Sequence, residues 1–293
     1  MKRLGYAIAP MIVLLILIAI ACILGYVLIL LWGDPAHLRK AVIKITQLLL
    51  ILSIFPLMRY LNIDKAHLGF AARSVFFKQL AQGFVLGFAT LAPVFWWLYH
   101  LDVLVWDEAR IWTAAMFIKK SFLELLLASL VACTEEPLFR GILLMGLWRK
   151  LPVQAAIALS AFYYAMLHFL DSKASVTPQD FNIFSGFELL QNALLNVFNP
   201  DMLSAQLALF MVGVFLAVIR TRVVSSLGLC IGCHASWVWQ IKMSKTLCNT
   251  DFTADYAFLV GHYNEVVGPL VAVWLALALL GYAWYQVQFS RQA

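Results

Sequence analysis

Charge is scarce in this 293-residue chain. Asp, Glu, Lys and Arg together make up 12%, about half of the roughly 25% found in ordinary soluble domains. Cysteine is sparse too. The five, Cys22, Cys133, Cys230, Cys233 and Cys248, are odd in number, and all but Cys248 lie inside apolar runs, so no disulfide framework is implied. No period of 20–50 residues repeats, which excludes a solenoid or an array. What fills the chain instead is apolar: 63% of residues are hydrophobic and 14% aromatic, with a mean hydropathy of +0.88. A soluble domain of this size has too little interior to hide that much apolar side chain, and disordered chains are poor in aromatics and rich in charge. The pattern predicts an all-α polytopic membrane protein whose main solvent is the lipid bilayer.

Runs of about 20 apolar residues define about eight candidate transmembrane helices, near 7–32, 41–58, 82–98, 121–148, 152–170, 202–219, 223–241 and 268–287. We read 1–293 as a single integral membrane domain. Lys2 and Arg3 before an apolar stretch resemble a signal peptide, and Ala19-Ile20-Ala21-Cys22 resembles a lipoprotein box. The run, however, continues to Trp32, beyond the roughly 7–15 residues of a signal core. It reads as an uncleaved first span.

The net charge of +6 does not mark a nucleic-acid partner, because the cations sit dispersed at the ends of apolar runs. With both termini cytoplasmic, the inner segments carry Lys2, Arg3, Arg59, Lys65, Arg73, Lys78, Arg149, Lys150, Arg220, Arg222 and Arg291, against Asp64 as their only acid. The outer segments carry nine cations, among them Arg39, Lys40, Lys44 and Lys173, against eleven acids. This asymmetry fits the positive-inside rule for eight spans and predicts a multi-pass protein of the cell (inner) membrane.

Two connections carry amphipathic patterns. Residues 181–198 place Phe181, Phe184, Phe187, Leu190, Leu194 and Phe198 at helical spacing, which predicts an interfacial helix on the outer face. A basic stretch from His67 to Gln82 predicts a second one on the cytoplasmic side.

Ionisable groups within a bilayer are costly and mark functional sites. Here they are Glu124 near a span end, Glu135, Glu136 and Arg140 in the fourth span, His168 in the fifth and His234 in the seventh. At about 1.5 Å per residue, Glu135, His168 and His234 lie roughly 21, 24 and 18 Å from the inner ends of their spans. Three spans thus bring such groups to a common depth, predicting a buried catalytic cavity. Glu136 and Arg140 are four residues apart and share a helix face, so Glu136 is the expected counter-ion of a buried arginine. Glu135 points about 100° away and is left without a helical partner, available to accept and return protons. Tyr164 and His168 share a face likewise, so the phenol can orient the imidazole or donate beside it.

Glu135-Glu136-Pro137-Leu138-Phe139-Arg140, then Tyr164 through His168, then His234, resemble the motif set of the CPBP family. Its members are intramembrane proteases akin to the type II CAAX prenyl endopeptidases, including bacteriocin-processing and immunity-linked proteins. The resemblance spans about 121–241. It implies that Glu135 activates a hydrolytic water, that His168 orients it or shares its proton, and that His234 helps stabilise the oxyanion. The implied activity is intramembrane endopeptidase cleavage of a membrane-associated protein or peptide substrate. Two departures matter: the phenylalanine usual four residues before the first histidine is Tyr164, a mild change, and the Asn or Asp usual four residues after the last histidine is Val238, which cannot hydrogen-bond. Trp237, three residues after His234, carries an indole N–H that is a donor only, and it is a candidate substitute.

Other readings stay open at this level. Glu135, His168 and His234 can also hold Zn²⁺ with an open position for water, although H-E-x-x-H is absent. Cys230-Ile231-Gly232-Cys233-His234 matches a haem-attachment pattern, but it lies inside an apolar span, so no haem is expected and the cysteines read as packing residues. A non-hydrolytic CPBP-like scaffold for protein maturation or bacteriocin immunity, and a proton-coupled transporter, are the alternatives to a protease.

Overall fold

A computed structural model describes residues 2–172 and 174–289. Lys173 and Arg291, counted in the charge balance, lie outside them. The regular structure of the described chain is almost all helix. It runs through α1 (Lys2–Trp32), α2 (Leu38–Tyr60), a short α3 (Lys65–Leu68), α4 (Arg73–His100), α5 (Ala114–Glu136) and, after a π-helical stretch (Pro137–Leu143), α6 (Leu144–Trp148). Then come α7 (Val153–His168), α8 (Ser185–Val197), α9 (Leu203–Arg222), α10 (Leu227–Leu247) and α11 (Pro269–Phe289). In lipid the backbone must satisfy its own hydrogen bonds, and the helix does so within one segment.

Helices stand at all eight positions read from the sequence. Among the described residues, five stretches are long and apolar enough to cross a membrane: Arg3–Leu31, Pro35–Tyr60, Lys65–His100, Pro200–Arg222 and Pro269–Gln288. The remaining three, α5 with its continuation, α7 and α10, are those that carry the ionisable cluster or are short.

Two boundaries differ from expectation. The basic stretch after His67 is not a separate element, because α4 begins at Arg73 and continues unbroken to His100. Only α3 precedes it, capped by Asp64, whose carboxylate accepts from the His67 backbone N–H at 2.8 Å. That bond, together with the His67 imidazole, holds the Asp64 carboxyl below its ordinary range. The helix expected at 181–198 is present as α8. It buries Ser185, Gly186, Leu189, Ala193 and Val197 and packs on α1 and α2, with Cys22 Sγ donating to the Gly186 carbonyl at 3.2 Å. A short antiparallel ribbon, β1 (Leu104–Trp106) with β2 (Cys248–Thr250), joins two connecting segments. No periodicity announced it.

The helix pair that sets the site most firmly is α4 with α10. Gly83 and Gly87 on α4 face Gly228 and Gly232 on α10. A Cβ at Gly83 would meet the Leu229 carbonyl, and one at Gly232 the Leu80 carbonyl. Small residues at four-residue spacing let backbones approach where lipid supplies no hydrophobic drive between helices. Beside this contact α10 packs on α5, and α9 packs between α7 and α11. A continuous buried core that includes Leu98, Phe169, Leu216 and Trp237 joins these helices. Cys230 and Cys233 are wholly buried in it, with Cys230 Sγ 3.5 Å from the Leu216 carbonyl.

Candidate active site

Pro137 follows the two glutamates directly. Lacking an N–H, it leaves a carbonyl of the preceding turn without its α-helical donor, and Pro137–Leu143 adopt the wider π geometry common at functional sites. The Phe139 carbonyl in this stretch accepts from Ser160 Oγ of α7 at 3.3 Å. A side chain on the neighbouring helix thus helps satisfy the loosened backbone.

Arg140 lies on the π stretch and is fully buried, as is Glu136. Arg140 Nε is 3.3 Å from Glu136 Oε2, the pairing that their spacing predicts. The guanidinium also stacks over Tyr164, 4.6 Å from the ring centroid, a cation–π contact strengthened by the absence of water.

His234 extends this pair across to α10. Its Nδ1 is 2.9 Å from Glu136 Oε1. An ionised carboxylate only accepts, so the imidazole donates from Nδ1 and turns Nε2 toward Glu135, 4.0 Å from Oε2. The two glutamates differ sharply in surroundings, since the Glu135 side chain is 30% exposed and that of Glu136 is 0%.

His168 is the last residue of α7, where helix carbonyls lack intrahelical donors. Its Nδ1 lies 2.8 Å from the Tyr164 carbonyl, which fixes the tautomer and leaves Nε2 as the free acceptor. The Tyr164 ring packs 4.5 Å from the imidazole. The orienting group is therefore the Tyr164 backbone carbonyl, whereas its phenol was the expected one. The ring instead braces Arg140 and His168.

Glu135 and His168 both line a cavity of about 740 Å³ bounded by α1, α2, α5, α7 and α8. Its wall is largely apolar, and Arg39 and Asp171, 3.5 Å apart, stand among its polar residues. Glu136, Arg140 and His234 lie behind the wall. Trp237 is set apart: its indole N–H donates to Thr90 Oγ1 of α4 at 2.9 Å, and its ring packs on Phe215. That N–H is already engaged away from the cavity, which corrects the expectation that it substitutes for the missing amide. Glu124 is also structural in its contacts, held by Lys120 at 2.7 Å and by Lys242 of α10 at 3.1 Å.

The zinc arrangement does not fit. Among the described residues no three His, Cys, Asp or Glu side chains are arranged to hold a metal ion.

One cavity residue escaped the sequence reading. Tyr263, in the segment between β2 and α11, lines the same wall as Glu135 and His168. It stands in a connecting segment with no motif around it, so neither spacing nor hydropathy singled it out.

The fold and site together define a polytopic helical membrane protein with an acid–histidine cluster beside a largely apolar, partly open cavity. Residues 117–240 match the family model described as Type II CAAX prenyl endopeptidase Rce1-like. The matched segment is less than half of the chain and contains every site residue named from the sequence. The match agrees with the CPBP resemblance. No curated protein and no solved structure matches the chain.

Proposed function

We propose that the protein is an intramembrane endopeptidase that hydrolyses a peptide bond of a membrane-associated protein or peptide. The observation that carries this reading is the placement of Glu135. It opens into the cavity beside His168, while His234, anchored by Glu136, stands 4.0 Å behind it.

In the proposed reaction Glu135 takes a proton from water as the water oxygen bonds to the scissile carbonyl carbon. The carbonyl π pair moves onto oxygen. His168, its Nδ1 tied to the backbone, orients the water through Nε2. Collapse of the tetrahedral intermediate breaks the C–N bond, and the proton held by Glu135 passes to the departing nitrogen. His234, being buried, acts on the Glu135 carboxylate and not on the substrate, and the Arg140–Glu136 pair fixes His234. The residues present give no support to zinc, so no step runs through a metal.

The substrate class follows from the cavity. Its size lies within the roughly 300–1,000 Å³ of small-ligand sites, and its apolar wall suits a short hydrophobic segment entering from the bilayer. In this reading the chain is one integral domain, 121–241 is its catalytic core, and α8 lies in the outer interface. The protein sits in the cell membrane with both termini cytoplasmic. A prenylated target belongs to the proteins for which the matched family is described.

Incubating the purified full chain in detergent with pooled membrane peptides, and mapping new termini by mass spectrometry, tests the proposal. New termini with the parent and none with Glu135→Gln support hydrolysis. Val238 favours a second reading, a non-hydrolytic maturation scaffold, and the same assay would then give no new termini with either protein. A transporter needs a sealed compartment and would also be silent here.

A further inference from the structure

Hydrolysis builds negative charge on the carbonyl oxygen, and the site needs a donor that reaches the cavity. Val238 has none to offer, the Trp237 N–H is spent on Thr90, and His234 is buried behind Glu135. Thr134 lines the cavity, but its hydroxyl donates to the Val131 carbonyl at 2.8 Å.

Tyr263 meets the requirement. It lines the cavity with Glu135 and His168, and its ring packs 4.7 Å from that of Phe169, the residue that follows His168. Its hydroxyl makes no hydrogen bond to any described residue. The segment that presents it is tightly built. Val260, Val266 and Val267 are buried, the Glu265 N–H donates to the Gly261 carbonyl at 3.0 Å, and Asn264 Oδ1 accepts from the Val267 N–H at 2.7 Å. Glu265 holds a left-handed φ of 64°, a conformation that a non-glycine residue keeps only where its surroundings enforce it. Gly261 and Gly268 approach so closely that a Cβ on Gly268 would meet the Gly261 nitrogen.

We propose that Tyr263 is a catalytic residue that donates its phenolic O–H to the developing oxyanion. This rests on the hydrolytic reading above. The residue lies outside the segment that matches the protease family, so the donor would be supplied by a different part of the chain. Burial first, then the charges of Glu135 and Asp171, push the Tyr263 phenol above its ordinary value, so it keeps its proton at neutral pH. It gives a hydrogen bond without transferring the proton, and the proton count of the hydrolysis is unchanged.

The test uses the full chain in detergent, the peptide cleaved fastest in the pooled screen and a phosphonamidate analogue of that peptide. Tyr263→Phe keeps the ring on Phe169 and removes only the hydroxyl. The expected result is a fall in kcat of about 100-fold, a KM within about twofold, unchanged thermal stability, and a loss of analogue affinity that parallels kcat. Parental kcat and analogue affinity in Tyr263→Phe, with Glu135→Gln inactive, would overturn the role of Tyr263 and leave the hydrolytic reading standing. A parent that cleaves nothing in the pool overturns both.

Discussion

The Nδ1 of His234 lies 2.9 Å from Oε1 of Glu136, so the more deeply buried of two consecutive glutamates fixes the imidazole. The more exposed one is left facing the cavity. In the proposed reaction, neighbours in sequence are thereby divided between holding the site and performing its chemistry.

That division predicts opposite phenotypes. Glu135→Gln is expected to abolish cleavage with little change in thermal stability, because its carboxylate makes no short ion pair. Glu136→Gln leaves Arg140 buried without its anion, a loss of about 3–5 kcal/mol when one partner of a buried pair is removed. Melting curves and cleavage rates of both variants in the same detergent check this; matching stability and matching residual activity would refute it.

Metal removal should do nothing. After exhaustive chelation the cleavage rate is expected to stay at the parental level, with no stoichiometric metal in the purified chain by elemental analysis. Loss of activity that returns on adding Zn²⁺ would reinstate the metal-bound water.

Helix contact between α4 and α10 is a third target. A methyl at Gly232 meets the Leu80 backbone, which cannot fold away as a flexible side chain can. Gly232→Ala is expected to destabilise by about 1–3 kcal/mol, the usual cost of overpacking, and to lower activity by displacing His234. Gly281→Ala, with open space around it, should be silent.

Trp237→Phe removes one hydrogen bond, to Thr90. The expected cost is about 1 kcal/mol of stability, with kcat unchanged for the enzyme that remains folded. A large kcat loss at parental stability would return the indole to the mechanism.

Orientation is tested by reporter fusions. The Arg149-Lys150 turn is expected on the cytoplasmic side and the 171–201 connection on the outside, as the loop charges require. A reporter that places Arg149-Lys150 outside defeats the assignment.

Much of this was legible in the chain. Lipid-length apolar runs locate helices because a membrane leaves the backbone few alternatives, and four-residue spacing foretold the Glu136–Arg140 pair. Spacing speaks only within one helix, however. It does not say that His234 hydrogen-bonds Glu136 and only approaches Glu135, since that depends on how α10 packs against α5. The Trp237 reading failed for the same reason: the helix face was right in register with His234, but the neighbour met there was Thr90. Tyr263 was invisible because a folded connection has no period, and its position follows from Phe169 and the buried valines around it.

The π stretch after Pro137 acts as a phase shifter. It accommodates the chain at a looser pitch, so the segment beyond it emerges rotated relative to an unbroken α-helix. Were the residues from Pro137 to Leu143 to wind as ordinary α-helix instead, everything beyond them would be turned by roughly 100°, the step of the one extra residue that the looser pitch absorbs. Leu144 and Leu147, now buried against Ala156 and Ala217, would swing out of their contacts. The glutamate pair and the buried leucines beyond it are thus set at different angles by a single local irregularity.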